Sequence, residues 1–434
     1  MEIAAIIAEY NPFHNGHRYQ MDFIRKNTDA DHIIIIMSGN FVQRGAPALA
    51  DKYARAEAAL LGGADAVFEL PVRYSTACAR DFAYGAVSML NAFGCVDYLC
   101  FGCEDPWLFT VDRLMDGSLF TSAEFDEVLK SGLKKGESFA TARADAILST
   151  IKKQLEAPCL SEKLTVLDSA LKSPNNILAL EYVLSLAKLK SGIKAMPIER
   201  VGDSYGSMTV NSGFPSATAL RGLLFSPHPE IVFDREYMPT ECADVLKNYI
   251  SSSCLMHSES FSKLLSYSIL IHADELEHYL DSSTELANRL KNFFRPGFFW
   301  DETASALKTK NYTLTRINRF LTHILLGIPK ESAIFPDTDY PKISAAGSAG
   351  SFGAPPSPYA HLLGMRRESS KLIAHIKEHS LIPVFSSPRE LEQRTDGYAR
   401  MMLEADLRAT DIYHIAQEKK AMYKTDYEVS GIFI

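Results

Sequence analysis

Cysteine is scarce and odd in number: seven thiols in 434 residues, none of them in the last 180. That excludes the paired framework of a small secreted domain and points to a reducing compartment. Long apolar runs are missing. The longest aliphatic stretch, Ile33 to Met37, is far below the roughly 20 residues that span a bilayer. The opening MEIAAIIAEY carries Glu2 and Glu9 and no basic flank, unlike a secretory signal. A soluble cytoplasmic chain with no membrane association is expected. A global basic excess is absent too: 45 Lys and Arg against 53 Asp and Glu give a net charge of -8, so any polyanion must be held by a local patch. Internal repeats are not found. The 23% charged and 47% hydrophobic content is that of a globular protein with two or three domains.

Short apolar runs at Ile3 to Ala8, Ile33 to Met37, Ala66 to Glu69, Tyr98 to Phe101 and Ala195 to Arg200 read as buried strands. Between them, Gly16 to Lys26, Lys52 to Leu61 and Arg80 to Phe93 repeat apolar residues three and four apart. That alternation predicts an α/β fold with a Rossmann-like, doubly wound parallel sheet. Residues 106–190 read as a helical insertion before the fifth strand. After the breakers Ser226-Pro-His-Pro229, helical periodicity dominates. The expected division is therefore a nucleotide-binding domain over 1–225 and a mainly α-helical region over 226–434. Within the latter, Ser344 to Pro358, rich in Ser, Gly, Ala and Pro, reads as a flexible loop.

The most informative stretch is Ile7 to Gln20, IAEYNPFHNGHRYQ. It follows a strand, breaks at Pro12 and opens a helix near Asn15 and Gly16. Asn15 is the expected cap, Gly16 lets a ligand approach the backbone, and His14 and His17 stand where free N–H groups favour an anion. Two imidazoles there can donate to the oxygens of an α-phosphate as charge builds during in-line displacement.

NPFHNGH after the first strand resembles the HxGH signature of the nucleotidyltransferase superfamily. With residues 37–71, CFGCE at 100–104, SPNNILALEY at 173–182 and YTLTRINRFLTHILLGI at 312–328, the chain resembles the tRNA(Met) cytidine acetate ligase family. The resemblance implies an enzyme that uses ATP to activate acetate as acetyl-adenylate. It then acetylates N4 of the wobble cytidine of elongator tRNA(Met), releasing AMP and pyrophosphate. It implies Mg2+ with the ATP, catalytic His14 and His17, and an ATP site made of Ile7, Ala8, Glu9, Tyr10, Asn11, Pro12, Phe13, His14, Asn15, Gly16, His17, Arg18, Tyr19, Gln20, Gly102, Asn176, Glu199 and Arg200. Departures from the family pattern fall at Gln20, Ala46 and His361, the last affecting an expected C-terminal RNA contact. The N-terminal signature alone does not exclude a small-molecule adenylyltransferase of the same superfamily, although such enzymes are usually much shorter.

Ser216, Thr218 and Arg221 could hold the β- and γ-phosphates, or simply form a capped helix. Arg44 and Lys52, after the second strand, could reach phosphate or tRNA. Over 287–320, seven basic residues including Arg289, Lys291, Arg316 and Arg319 face two acids, with Phe293, Phe299, Trp300 and Tyr312 interleaved. Such a stretch suits RNA phosphates and stacked bases, or a core with a solvated rim. Cys95, Cys100 and Cys103 have a ferredoxin-like spacing, but Cys100 lies in an apolar strand and no fourth ligand follows. The remaining histidines show no HExxH or paired zinc spacing, so neither an iron–sulfur cluster nor zinc is expected.

Overall fold

A computed structural model describes residues 1–110, 112–115, 117–135, 139–152, 167–171, 173–200, 214–330, 356–392, 397–417, 424–429 and 431–434. Its centre is an eight-stranded sheet. Strands β1 (Ile3–Ala8), β2 (His32–Ser38), β5 (Ala66–Leu70), β6 (Tyr98–Cys103) and β7 (Lys194–Glu199) lie parallel in the order β5-β2-β1-β6-β7. Near-continuous aliphatic runs such as HIIIIMS in β2 suit strands covered on both faces. Alternation along them feeds two cores. Ala5, Ile34, Ile36, Phe68 and Leu99 pack on one face, and Ala4, Ile6, Ile33, Ile35, Val67 and Cys100 on the other.

The helices fall where the periodicity places them, at Asn15–Asn27, Lys52–Leu61 and Ala79–Phe93. Between β6 and β7 run helices that include Ala123–Lys134, Phe139–Lys152 and Pro174–Lys188. After 225, helices including Thr284–Phe293, Trp300–Leu307 and Leu314–Leu326 enclose a third core around Phe261, Trp300 and Phe320, which Phe41, Val72 and Tyr413 join. Most of the loop expected over 344–358 lies outside the described residues. Among the described residues no helix is long and apolar enough to cross a membrane.

The sheet also takes strands from beyond residue 225. Strand β8 (Ala360–Met365) pairs antiparallel with β5, and β9 (Val384–Phe385) and β10 (Ile432–Phe433) run parallel to β8. A hairpin of β3 (Phe41–Val42) and β4 (Ala46–Pro47) stands beside the sheet.

A buried charge network joins these late strands to the early ones. The Lys52 ammonium, at 0% exposure, donates to both Glu69 oxygens at 3.0 and 2.8 Å and to Asp426 Oδ2 at 2.6 Å. Lys52 is therefore unavailable to tRNA or phosphate, because its charge is committed to two buried carboxylates. His361 Nδ1 donates to Glu69 Oε2 at 2.8 Å, and Tyr359 OH lies 2.6 Å from Asp406 Oδ2. Burial opposes the charge on Lys52, but Asp426 and Glu69 outweigh it and raise its pKa well above the ordinary value. Burial also works against the Glu69 carboxylate, yet Lys52 and His361 hold it down to about 2. Asp406, buried and repelled by Glu69, is pushed up to about 8.

Lys52→Met leaves two carboxylates buried without their cation, so urea unfolding at neutral pH is expected to show a loss of about 3–5 kcal/mol. Two pH limbs follow from linkage. The Glu69 contribution is present above its ordinary 4.5 and is lost as pH falls toward 2. Asp406 acts with the opposite sign: its folded pKa is raised, so its contribution is complete below its ordinary 3.8 and is lost as pH rises through about 8. Asp406→Asn should remove the decline in stability that runs from its ordinary 3.8 up to about 8; an unchanged slope across that interval contradicts the assignment.

Candidate active site

Chain leaving β1 passes through Tyr10, at φ 47°, to His14. Buried Arg55 fixes this crossing: its guanidinium donates to the carbonyls of Glu9 at 2.6 Å, Ala50 at 3.0 Å and Ser38 at 3.0 Å, and to that of Gly39. The cap of the helix that follows is His14, with φ -148° and ψ 173°, rather than the expected Asn15. Asn15 is its first residue, and its side chain donates to the Arg235 carbonyl at 2.8 Å.

The two histidines form a reciprocal pair. His14 Nδ1 accepts from Gly16 N at 3.1 Å, and His17 Nδ1 accepts from His14 N at 3.2 Å. An Nδ1 that accepts carries no proton, so each neutral ring keeps its N–H at Nε2. The rings stack at 3.7 Å with Tyr10 edge-on to His17 at 4.7 Å. A Cβ on residue 16 would lie 2.9 Å from His14 Cε1, so Gly16 makes room for the His14 ring itself. Burial, then Arg200 and Arg221, lowers the His14 pKa to about 3. Burial, His14 and Arg200 hold His17 well below its ordinary value. Both rings are neutral donors at physiological pH.

These groups line a cavity of about 250 Å³ at the carboxyl ends of β1, β6 and β7, the position at which open parallel sheets bind ligands. Phe82, Phe101, Leu178 and Tyr182 form an apolar wall, and Arg44, Arg200 and Arg221 contribute positive charge. A second helix, Ala217–Leu224, starts at the same cavity. Ser216 Oγ caps it by accepting from Ala219 N at 3.0 Å, and Arg221 donates to the Asn11 carbonyl at 2.7 Å and to Thr218 Oγ1 at 3.1 Å. Two helix N-termini and three arginines lining one cleft suit a polyphosphate.

The family described as HIGH Nucleotidyl Transferase matches residues 1–428. A tRNA(Met) cytidine acetate ligase of Clostridium kluyveri is 36% identical, covering 100% of this chain and 99% of that relative. One from Thermoanaerobacter sp. strain X514 is 33% identical, with 98% of each covered. The chain belongs to the tRNA(Met) cytidine acetate ligase family. The crystal structure of Thermotoga maritima TmcAL bound with alpha-thio ATP superposes with a TM-score of 0.85 at 29% identity, covering 100% of this chain and 99% of that one.

Within this acetate ligase fold, the cavity gathers Ile7, Ala8, Glu9, Tyr10, Asn11, His14, Gly16, His17, Tyr19, Gln20, Gly102, Glu199 and Arg200, together with Arg44, Ser216, Thr218 and Arg221. Other residues of the expected set are placed differently. Pro12 and Phe13 line a void of about 20 Å³ behind the site, Asn15 points to Arg235, and Arg18 pairs with Asp22 at 3.5 Å and Glu241 at 4.0 Å. Asn176 is fully buried: its side chain accepts from Glu104 N at 2.9 Å and donates to Asp105 at 2.9 Å. Its neighbour Asn175 lines the cavity. Gln20 Nε2 donates to the Cys100 carbonyl at 3.2 Å, and Ala46 lies in β4. His361 is not at an RNA surface: it is buried beside Glu69.

The basic stretch divides similarly. Arg319 is buried against Asp281 at 2.7 Å, Arg316 lies over the Tyr312 ring, and Arg289 donates to the carbonyls of Leu307 and Ala306 at 3.0 Å. Trp300 and Tyr312 are core, whereas Phe293, Phe299, Lys291, Arg295 and Lys308 are exposed. Cys100 and Cys103 feed opposite faces of the sheet and cannot share one ion; burial pushes both thiols up to about 12.

His14→Ala and His17→Ala each remove one donor and are expected to lower kcat for adenylate formation about 100-fold in a folded protein. Because His14 is neutral down to about pH 3, kcat/KM for ATP should show no His14 limb across pH 5 to 8; a limb near 6.5 would contradict the burial argument.

Proposed function

We propose that this chain is an ATP-dependent ligase that acetylates the wobble cytidine of elongator tRNA(Met) through acetyl-adenylate. The observation that carries the reading is the pair of Nε2–H donors of His14 and His17 at a helix N-terminus, opposed by Arg200 and Arg221. A carboxylate oxygen of acetate attacks the α-phosphorus, forming the mixed anhydride as the bond to the leaving pyrophosphate breaks. The cytidine N4 amine then attacks the acetyl carbonyl, losing a proton as AMP departs. The two imidazoles are oriented by the backbone before substrate arrives, so they meet the developing phosphoryl charge without reorganising. Arg200 and Arg221 supply the positive charge that neutral rings lack. Mg2+ would neutralise the triphosphate; the carboxylates of Glu9 and Glu199 in the cavity wall are oxygen donors of the kind it takes.

The tRNA-facing surface is assigned to the exposed half of the basic stretch. The β3–β4 hairpin supports this: Arg44 stands at the cavity, and Gly45, at φ +71°, lies so close to the Leu314–Leu326 helix that a Cβ would meet Arg319 N at 2.2 Å. The catalytic cleft and the helical region are thus in direct contact.

ATP–pyrophosphate exchange is expected to depend on acetate and to fall with longer acids; exchange indifferent to acetate, but driven by a phosphorylated metabolite, would favour a small-molecule adenylyltransferase. Arg295→Glu with Lys308→Glu should weaken tRNA binding and reduce its salt slope by about one for each phosphate that is no longer neutralised, leaving acetate-dependent exchange intact. Unchanged tRNA affinity would remove this face from the proposal.

A further inference from the structure

Away from the cavity, the helix Ser370–His379 carries His375, Glu378 and His379, and one ligand-capable atom of each lies within 4.8 Å of the others. Offsets of three and four residues place Glu378 and His379 on either side of His375 along one face. The two imidazole centroids are 4.2 Å apart. His379 Nδ1 donates to the His375 carbonyl at 2.9 Å, which fixes the tautomer and leaves the Nε2 lone pair free. Ligating histidines are held by this kind of outer hydrogen bond.

The platform is packed onto the fold and accessible. Leu372, Ile373 and Ile376 are buried and seat the helix, and beyond its end Leu381 N donates to the Ala92 carbonyl at 2.8 Å. His375 is half-buried, and Glu378 and His379 are exposed. The last turn of a helix, where carbonyls lack partners, also favours a cation.

We propose that His375, Glu378 and His379 form a binding site for a divalent transition-metal cation of the Zn2+ type, with three protein ligands and the remaining positions open to water. Two imidazoles and one carboxylate select against Mg2+ and Ca2+, which take oxygen ligands, and suit Zn2+, Ni2+ and Cu2+. The spacing is H-x-x-E-H, the reverse of the HExxH order, and its two histidines are four apart, which corrects the expectation that no paired spacing exists. A bound ion would cross-link the final turn of the helix, just before the chain enters β9. The site is separate from the catalytic cleft, and its role would be to stiffen the edge of the sheet.

The test uses the untagged full-length chain stripped with EDTA, titrated with Zn2+ by calorimetry and with Co2+ by absorption, in the wild type and in His375→Gln, His379→Gln and Glu378→Gln. One equivalent of Zn2+ is expected in the wild type, with a melting temperature that rises with added Zn2+. Each histidine variant should bind at least about tenfold more weakly, given that even outer partners of metal ligands count on that scale, and should lose the thermal shift. Glu378→Gln retains both imidazoles and should lose less. Melting in EDTA and acetate-dependent exchange should match the wild type throughout, which separates this site from the catalytic reading. Wild-type affinity in both histidine variants, or a thiolate charge-transfer band with Co2+, would place the ion elsewhere and overturn the proposal. So would the absence of saturable binding of Zn2+, Ni2+ and Cu2+.

Discussion

The geometry of the cleft depends on one buried ammonium. Lys52 Nζ sits between Glu69 on β5 and Asp426 near the C-terminus, with His361 of β8 on the far side of Glu69. Lys52 also opens the helix whose next turn presents Arg55, and Arg55 ties together the chain segments that leave β1 and β2. The position of the His14 loop is thereby linked to strands contributed from the other end of the sequence. Isolated buried ion pairs add little net stability once desolvation is counted. This one joins distant segments, because Lys52, Glu69 and Asp426 come from three separate parts of the chain and meet at a single buried ammonium.

Around that scaffold the cleft separates orientation from charge. Backbone N–H groups occupy both Nδ1 atoms, so the imidazoles act as fixed dipoles. Net positive charge comes from guanidinium groups that cannot lose their protons near neutral pH. Burial, which would weaken a charged histidine, strengthens a neutral donor by removing competing water. The apolar wall of Phe82, Phe101 and Tyr182 therefore contributes to the electrostatics of the site.

What was legible in the sequence is what local pattern encodes. HIIIIMS and IAAIIA announce buried strands by composition, and NPFHNGH announces a strand-to-helix turn by its proline, glycine and paired histidines. What was hidden depends on partners far along the chain. AHLLGM gives no alternation that marks β8 as a strand, and its histidine is explained by Glu69, 292 residues away, and by the Phe385 ring stacked on it. Lys52 and Arg319 read as surface cations because nothing adjacent in sequence reveals Asp426 or Asp281. Trp300 and Tyr312 belong to the core, while Phe293 and Phe299 remain outside; helical phase alone would have separated them only if the helix boundaries were known.

The antiparallel pairing of β8 with β5 has a consequence for how the protein is made. β5 leaves the ribosome early, yet the strand that covers its open side is encoded only after everything from Leu70 to Ala360. At translation rates of about 5–20 residues per second, this apolar edge waits for tens of seconds. An unpaired edge of that composition is a template for intermolecular association. The nascent chain must therefore pass through an aggregation-prone interval during synthesis, and truncations before β8 would extend that interval indefinitely.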